Sequence, residues 1–285
     1  MRLPAPLLRL NPKLHKNDFG HVLVVAGSAP MLGAGALVGL AAMRAGTGLV
    51  TIAVPQDLNK TLQQKISPVI MTWPLPATGD GFLKASIYPI LEKRFLKYQS
   101  MVLGPGLGTK ATTKNLVLKL IINFQGAMVI DADALNILAD KKEVLLKAKG
   151  VRVVTPHAGE MAKLLRCSRE EVEANRQSKA MTMARAFDCT VVLKGQHTLI
   201  TDGDKCIFNK TGNVGMATAG SGDVLSGIIG AFLSQGIKPF DAATWGVYHH
   251  GLAGNLAEKK TGKVSMIATD LIDFLPQALK TRDRP

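Results

Sequence analysis

Between Gly220 and Asp223 the chain reads Gly-Ser-Gly-Asp, ahead of a segment rich in Gly, Ala and Ser. Two glycines let successive backbone N–H groups converge at a helix start, where partial positive charge gathers, so Gly220, Ser221 and Gly222 predict an anion hole. Asp223 beside it is placed to take a proton from a hydroxyl while the hole holds phosphoryl oxygens. The same aspartate equally suits the plainer role of helix N-cap. A second pair, His157 and Glu160, stands three residues apart and shares one face if a helix begins there. H-x-x-E lacks the second His of a zinc site, so the metal role it suits is Mg²⁺ held through water at Glu160. A dipole partner and a satisfied surface His are the bland alternatives. His249-His250 reads as helix surface, and His21 as the start of a strand without chemistry.

These residues need a frame, and the chain supplies one in short apolar runs separated by longer segments. His21 to Ala26, Leu49 to Val54, Met101 to Leu103, Ala127 to Ile130, Val151 to Thr155 and Thr190 to Leu193 read as buried parallel strands. Between them, Ala34 to Arg44, Lys110 to Phe124, Ala134 to Ala139, Gly159 to Arg166 and Arg169 to Phe187 read as helices. His197 to Thr201 and Lys205 to Phe208 flank Asp202-Gly203, which suits an antiparallel hairpin at one edge. Asp223 to Gln235, Phe240 to Glu258 and a last helix around Asp270 to Leu279 close the chain. The predicted class is α/β: a mostly parallel central sheet with helices on both faces and an antiparallel edge hairpin, as one domain over residues 1–285. Ligands of such sheets sit at the carboxyl ends of strands. The residues there are glycine and acid: Gly27-Ser28, Gly104 to Gly108, Asp131-Ala132-Asp133, His157 to Glu160 and Lys194-Gly195.

Several function classes fall away. No G-x-x-x-x-G-K-[ST] occurs, so a P-loop is not available, and neither Gly33-x-Gly35 nor Gly104-x-Gly106-x-Gly108 keeps the dinucleotide fingerprint. The net charge of +14 comes from dispersed Lys and Arg, without a dense basic run or interleaved aromatics, which argues against nucleic acid and fits steering of anionic small substrates. Phe19 to Met43 carries no charged residue, but its glycines and Pro30 break it into strand, turn and helix, not a membrane span. Prolines and arginines before it give no secretory signal, and Cys167, Cys189 and Cys206 lack metal spacing, so the cytoplasm is expected.

Taken together the chain resembles the ADP- or ATP-dependent NAD(P)H-hydrate dehydratases, a ribokinase-like family. The resemblance rests on His15-Lys16-x-Asp18-Phe19-Gly20 leading to Gly27-Ser28, on Gly104-Pro105-Gly106-Leu107-Gly108, and on Asp131-Ala132-Asp133-Ala134-Leu135. It continues through Thr155-Pro156-His157-x-Gly159-Glu160, Lys194-Gly195-x-x-Thr198, Gly212-Asn213 and Gly220-Ser221-Gly222-Asp223, to Ala268-Thr269-Asp270-Leu271. It implies removal of water from hydrated NADH or NADPH at the expense of ADP or ATP, by phosphorylating the ring hydroxyl. By position it implies contacts to the hydrated cofactor at Ala36, Gly106, Gly108, His157 and Asp223. Nucleotide contacts are implied at Lys194, Gly195, Gln196, His197, Thr198, Gly220, Ser221 and Gly222, with Glu160 associated with Mg²⁺. His157 stands where sugar kinases of this fold carry Asn. The resemblance further implies a stand-alone dehydratase working beside a separate epimerase, and a homotetramer. A ribokinase-like kinase of a small alcohol or vitamin precursor is the alternative enzyme, and a nucleotide-binding regulatory module a third reading.

Overall fold

The computed structural model describes residues 4–8 and 11–280, so residues 1–3, 9–10 and 281–285 of the expected domain lie outside the description. All described strands join one sheet. They are β1 (His21–Val25), β2 (Leu49–Pro55), β3 (Met71–Leu75), β4 (Ser100–Leu103), β5 (Ala127–Ile130), β6 (Arg152–Val154), β7 (Thr190–Leu193), β8 (Leu199–Thr201) and β9 (Cys206–Phe208). Their order is β3-β2-β1-β4-β5-β6-β7-β8-β9, parallel from β3 to β7 and antiparallel across β7, β8 and β9. The chain moves outward from β1 to β3 and then returns to β4 on the other side of β1. That reversal opens a crevice at the carboxyl ends of β1 and β4.

Every central strand is apolar on both faces because helices cover both. Val22, Val24 and Val102 pack with Val38, Ile228 and Ile229 on one side. Leu23, Val25, Met101 and Leu103 pack with Leu116, Leu120 and Met161 on the other. Alternation along a strand thus feeds two cores from one run of residues. Among the described residues no helix is long and apolar enough to cross a membrane.

Four features depart from the sequence reading. β3 carries Pro74, which an edge strand tolerates because one side of it needs no ladder donor. The expected helix from Arg169 to Phe187 is two, Arg169–Ala174 and Arg176–Phe187, broken at Asn175, whose amide donates to the Glu171 carbonyl at 3.2 Å. The expected Phe240 to Glu258 helix runs Pro239–Ser265, with non-helical backbone at Gly262. His249 and His250 are buried, not surface groups, since this helix packs against both Ser221–Ser234 and Ala268–Lys280. His249 stacks on Trp245 at 5.6 Å, and burial lowers its pKa to about 4.

One buried charge braces the end of the sheet away from the crevice. Arg152, the first residue of β6, is 2% exposed, and burial lowers its pKa to about 10. Its guanidinium donates to the carbonyls of Ile121 (2.6 and 3.1 Å), Phe124 (2.7 Å), Gly126 (3.1 Å) and Val151 (2.9 Å). The Ala111–Asn123 helix ends here, so a fixed cation meets the negative end of its dipole and the carbonyls that would otherwise be unpaired. Arg152→Met, similar in length but without donors, is expected to lower stability by about 3 kcal/mol in a denaturant melt. It should leave kcat as in the parent protein, because the crevice lies at the opposite ends of the strands; an unchanged midpoint would refute the brace.

Candidate active site

The loops after β1 and β4 meet across the crevice. Gly27 N–H donates to the Pro105 carbonyl at 2.8 Å, and the Ser28 hydroxyl to the Gly106 carbonyl at 2.7 Å. Gly106 has φ +65°, and a Cβ there would lie 2.8 Å from the Met31 carbonyl oxygen and 3.0 Å from the Ala34 methyl. Only glycine lets this loop rest on the start of the Leu32–Arg44 helix. Ala36 lies in that helix with 7% exposure, so it presents little beyond its methyl. Gly108 N–H donates to Asp133 Oδ2 at 2.8 Å, which ties the glycine loop to the end of β5.

The turn after β5 directs two carboxylates to different places. Ala132 has φ +51° and ψ −119°, a conformation a non-glycine residue rarely holds. Through it Asp133 turns to Gly108, while Asp131, almost wholly buried, faces the ends of β6 and β7. There Asp131 accepts from Lys194 Nζ at 2.7 Å and from the Ser226 hydroxyl at 2.8 Å. Glu160 Oε2 lies 3.8 Å from the same ammonium. Burial lowers the Lys194 pKa, but Asp131 and Glu160 more than offset it, and the net shift is upward.

His157 is the N-cap of the Ala158–Leu165 helix. Its Nδ1 accepts from the N–H groups of Gly159 (3.0 Å) and Glu160 (3.2 Å), and Glu160 Oε2 accepts from the His157 N–H at 2.8 Å. This is a capping box with histidine in the place of the usual hydroxyl. Burial, then Lys194, lowers the His157 pKa, the direction that suits an Nδ1 accepting from backbone N–H groups. Burial raises that of Glu160.

Against this cluster stands the start of the Ser221–Ser234 helix. Its N-cap is Gly220 in the left-handed region (φ +85°), where a Cβ would also press on Leu37 of the helix carrying Ala36. Asp223 is the third residue of the helix and not its cap, which removes the bland alternative; no side chain caps this end, and although the Ser221 N–H donates to the Thr218 carbonyl at 3.4 Å, the N–H groups after it remain to receive an anion. A Cβ at Gly222 would sit 3.5 Å from Lys194 Nζ and 3.7 Å from Asp131 Oδ2, so the Gly222 backbone faces the ion pair directly. His250 Nε2 donates to the Ser221 carbonyl at 3.0 Å and holds the turn from behind. Burial, and after it the Asp131 charge, raises the Asp223 pKa to about 7.

The structure therefore gathers Lys194, Glu160, Gly222 and Asp223, with His157 and the Gly106–Gly108 loop along the adjoining rim. It does not gather everything expected: Gly195, Gln196 and His197 are exposed, and Thr198 is tied to neighbouring backbone, its hydroxyl donating to the Gly195 carbonyl at 3.0 Å and its carbonyl accepting from the Asn209 N–H at 2.9 Å. Arg176, absent from the sequence reading, steadies that loop from below by donating to the carbonyls of Leu193 (2.9 Å) and Lys194 (3.2 Å). Asp131 and Ser226 were also unassigned. The position of Asp131 after a strand was the one available signal, and nothing in the sequence marks Ser226 or Arg176. Among the described residues no three His, Cys, Asp or Glu side chains form a metal cage. Glu160 is engaged with a backbone N–H and Lys194, so the residues fit Mg²⁺ carried in by phosphates and touched through water.

Comparison with known proteins agrees with this geometry. Residues 22–277 match the family described as NAD(P)H-hydrate dehydratase. The chain is 38% identical over 276 residues to the ADP-dependent (S)-NAD(P)H-hydrate dehydratase of Neisseria meningitidis, covering 95% of itself and 87% of that protein. It is 43% identical over 267 residues to the bifunctional NAD(P)H-hydrate repair enzyme of Moorella thermoacetica, covering 93% of itself and 50% of that protein. The chain thus spans about half the length of the bifunctional relatives it matches. The structure of the Bacillus subtilis ADP/ATP-dependent NAD(P)H-hydrate dehydratase, co-crystallised with ATP and Mg²⁺, superposes with a TM-score of 0.80 at 28% identity, covering 95% of this chain and 92% of that one. With a glycine-lined helix start beside an aspartate of raised pKa on this sheet order, and with these matches, the chain belongs to the NAD(P)H-hydrate dehydratase family and has a ribokinase-like fold.

Proposed function

We propose that this chain restores hydrated NADH or NADPH to the reduced coenzyme, using ADP or ATP, with Asp223 as the base. The observation that carries the reading is the Asp223 carboxyl, held at a pKa of about 7 beside the uncapped helix start. Hydroxide is a poor leaving group, and phosphorylation converts it into a good one. Asp223 takes the proton of the ring hydroxyl as its oxygen attacks the terminal phosphorus, and the nucleotide leaves one phosphate shorter. The N–H groups at Gly220 to Gly222 and the Lys194 ammonium face the charge on the transferring group. The ring nitrogen lone pair then expels phosphate, and loss of a proton from the neighbouring ring carbon restores the double bond. Mg²⁺, when bound with the nucleotide and reached through water from Glu160, supplies charge neutralisation of the phosphates.

The same reading takes Ala36, Gly106, Gly108 and His157 as the rim for the hydrated nicotinamide, and Lys194 to Thr198 with Gly222 as the nucleotide side. It extends to the chain acting as a single domain, to a homotetramer, and to a separate epimerase supplying the usable epimer. It places the enzyme in the cytoplasm, in keeping with three free cysteines. A small-alcohol kinase would share the anion hole and Asp223, but its phosphorylated product would persist.

Hydrated NADH incubated with the protein, Mg²⁺ and ADP or ATP is expected to regain the near-ultraviolet absorbance of reduced nicotinamide and to release inorganic phosphate. Asp223→Asn should lower kcat by a factor on the order of 10² or more without unfolding the protein. Absorbance that stays flat beside an accumulating phosphoester would favour the kinase; near-normal turnover in the variant would remove Asp223 from the role of base. Since the base must be deprotonated, kcat/KM should rise with pH through about 7 and flatten above it. Asp131→Asn removes a like charge that raises the Asp223 pKa, so it should move this limb to lower pH. A limb that stays in place would assign it to another group.

A further inference from the structure

The helix break at Asn175 leaves Arg176 in an electrostatically poor place. As the first residue of the Arg176–Phe187 helix it sets a fixed cation beside the partial positive charge of the helix start, and no acid stands in that first turn. Glu173, across the break, offsets part of this cost by accepting from Arg176 Nη1 at 3.0 Å. The other end of the guanidinium is committed to the carboxyl end of β7, where Nη2 donates to the carbonyls of Leu193 (2.9 Å) and Lys194 (3.2 Å). With the side chain only 16% exposed, these bonds are charge-assisted and largely shielded from water. A helix start does not call for such a residue; the strand end does.

β7 stops at Leu193, so the peptides that Arg176 grips are those by which the chain leaves the sheet. The Lys194 N–H donates to the Pro156 carbonyl at 2.8 Å, which ties the near side of the residue to the end of β6. Its far side runs into Gly195, where φ is +139° and no side chain resists rotation of the Lys194–Gly195 peptide. Arg176 supplies the missing resistance. Its guanidinium lies against Gly195, where a Cβ would stand 3.2 Å from Nη1, and it holds the Lys194 carbonyl as Pro156 holds the N–H. The same short backbone carries the ammonium that reaches Asp131 at 2.7 Å and Glu160 at 3.8 Å. A misplacement of about 1 Å in a group facing the reacting atoms costs turnover steeply.

We propose that Arg176 is a positioning residue for phosphoryl transfer: by gripping the Lys194 carbonyl it fixes the Lys194–Gly195 peptide, and through it the ammonium that faces the transferring group. The identity of that group rests on the proposed function. Arg176 acts through Lys194 alone and touches no reacting atom. Arg152 also binds carbonyls, but at the opposite ends of the strands, so the two arginines separate a grip on the site from a brace on the fold.

The test compares Arg176→Ala with the parent protein in turnover of hydrated NADH with Mg²⁺ and ADP or ATP. kcat is expected to fall about tenfold or more and the KM for the nucleotide to rise about as much, with the KM for the hydrate unchanged. Added guanidinium ion at millimolar concentration should restore much of the loss in the variant and leave the parent protein as it was, a response that a role in folding alone does not give. Parent-like kcat and nucleotide KM, an equal rise in both KM values, or a loss that guanidinium leaves in place would each overturn the assignment. Should Arg176→Ala not fold, Arg176→Lys decides, since it keeps the charge and a donor: the same defect on the nucleotide side at a parent-like melting midpoint supports the grip, and full activity overturns it. Calorimetric titration with ADP or ATP and Mg²⁺, without hydrate, keeps the two readings apart. If the parent protein turns over no hydrate but binds nucleotide, and Arg176→Ala loses that binding until guanidinium is added, the grip stands and the proposed function fails. If hydrate is turned over alike by parent and variant, the reverse holds.

Discussion

One ammonium serves three carboxylates at the ends of the central strands, and the rest of the site follows from that imbalance. Lys194 is in direct contact with Asp131 and close to Glu160, while Asp223 faces the same charges with no ion-pair partner of its own among the described residues. A half-buried space cannot hold so many negative charges around one positive charge at no cost. Asp131 takes the ammonium and the Ser226 hydroxyl, and Glu160 takes a backbone N–H and the edge of Lys194. Asp223 is left as the group that titrates near neutrality. The raised pKa on which its proposed role as base depends is thus a property of its neighbours as much as of its own position.

The fold creates this situation by directing different chain segments to one line. β5, β6 and β7 end side by side, so the residues after them converge although they are far apart in sequence. The turn at Ala132 then parts two adjacent acids, one toward the ammonium and one toward the glycine loop. Both the left-handed Gly220 and the strained Ala132 lie where a regular element begins. At Ala132 the irregular backbone is held between β5 and the Asp133–Leu138 helix.

The strands and most helices were legible because parallel strands are continuous apolar runs and the intervening helices carry their own periodicity. β3 was not, since Pro74 in a half-exposed edge strand leaves neither an unbroken run nor a clean alternation. The burial of His249 and His250 was illegible for a related reason: their helix is covered by neighbours whose approach no local pattern encodes. In the site, motif residues such as Asp223 and Glu160 could be named from spacing and resemblance. The partners of Lys194 could not, because the contact spans 63 residues for Asp131 and depends on strand order. The capping role of His157 needed only a three-residue offset, yet sequence reading favours Ser, Thr, Asp or Asn in that place.

The Ser221–Ser234 helix lies directly on the Leu32–Arg44 helix through Gly227, where a Cβ would stand 2.9 Å from the Ala41 methyl and would strike the Val38 carbonyl. The two backbones interlock with no long side chain between them to yield. The wall bearing Ala36 and Asp223 is therefore built of two helices in backbone contact, and any side chain at position 227 would force them apart.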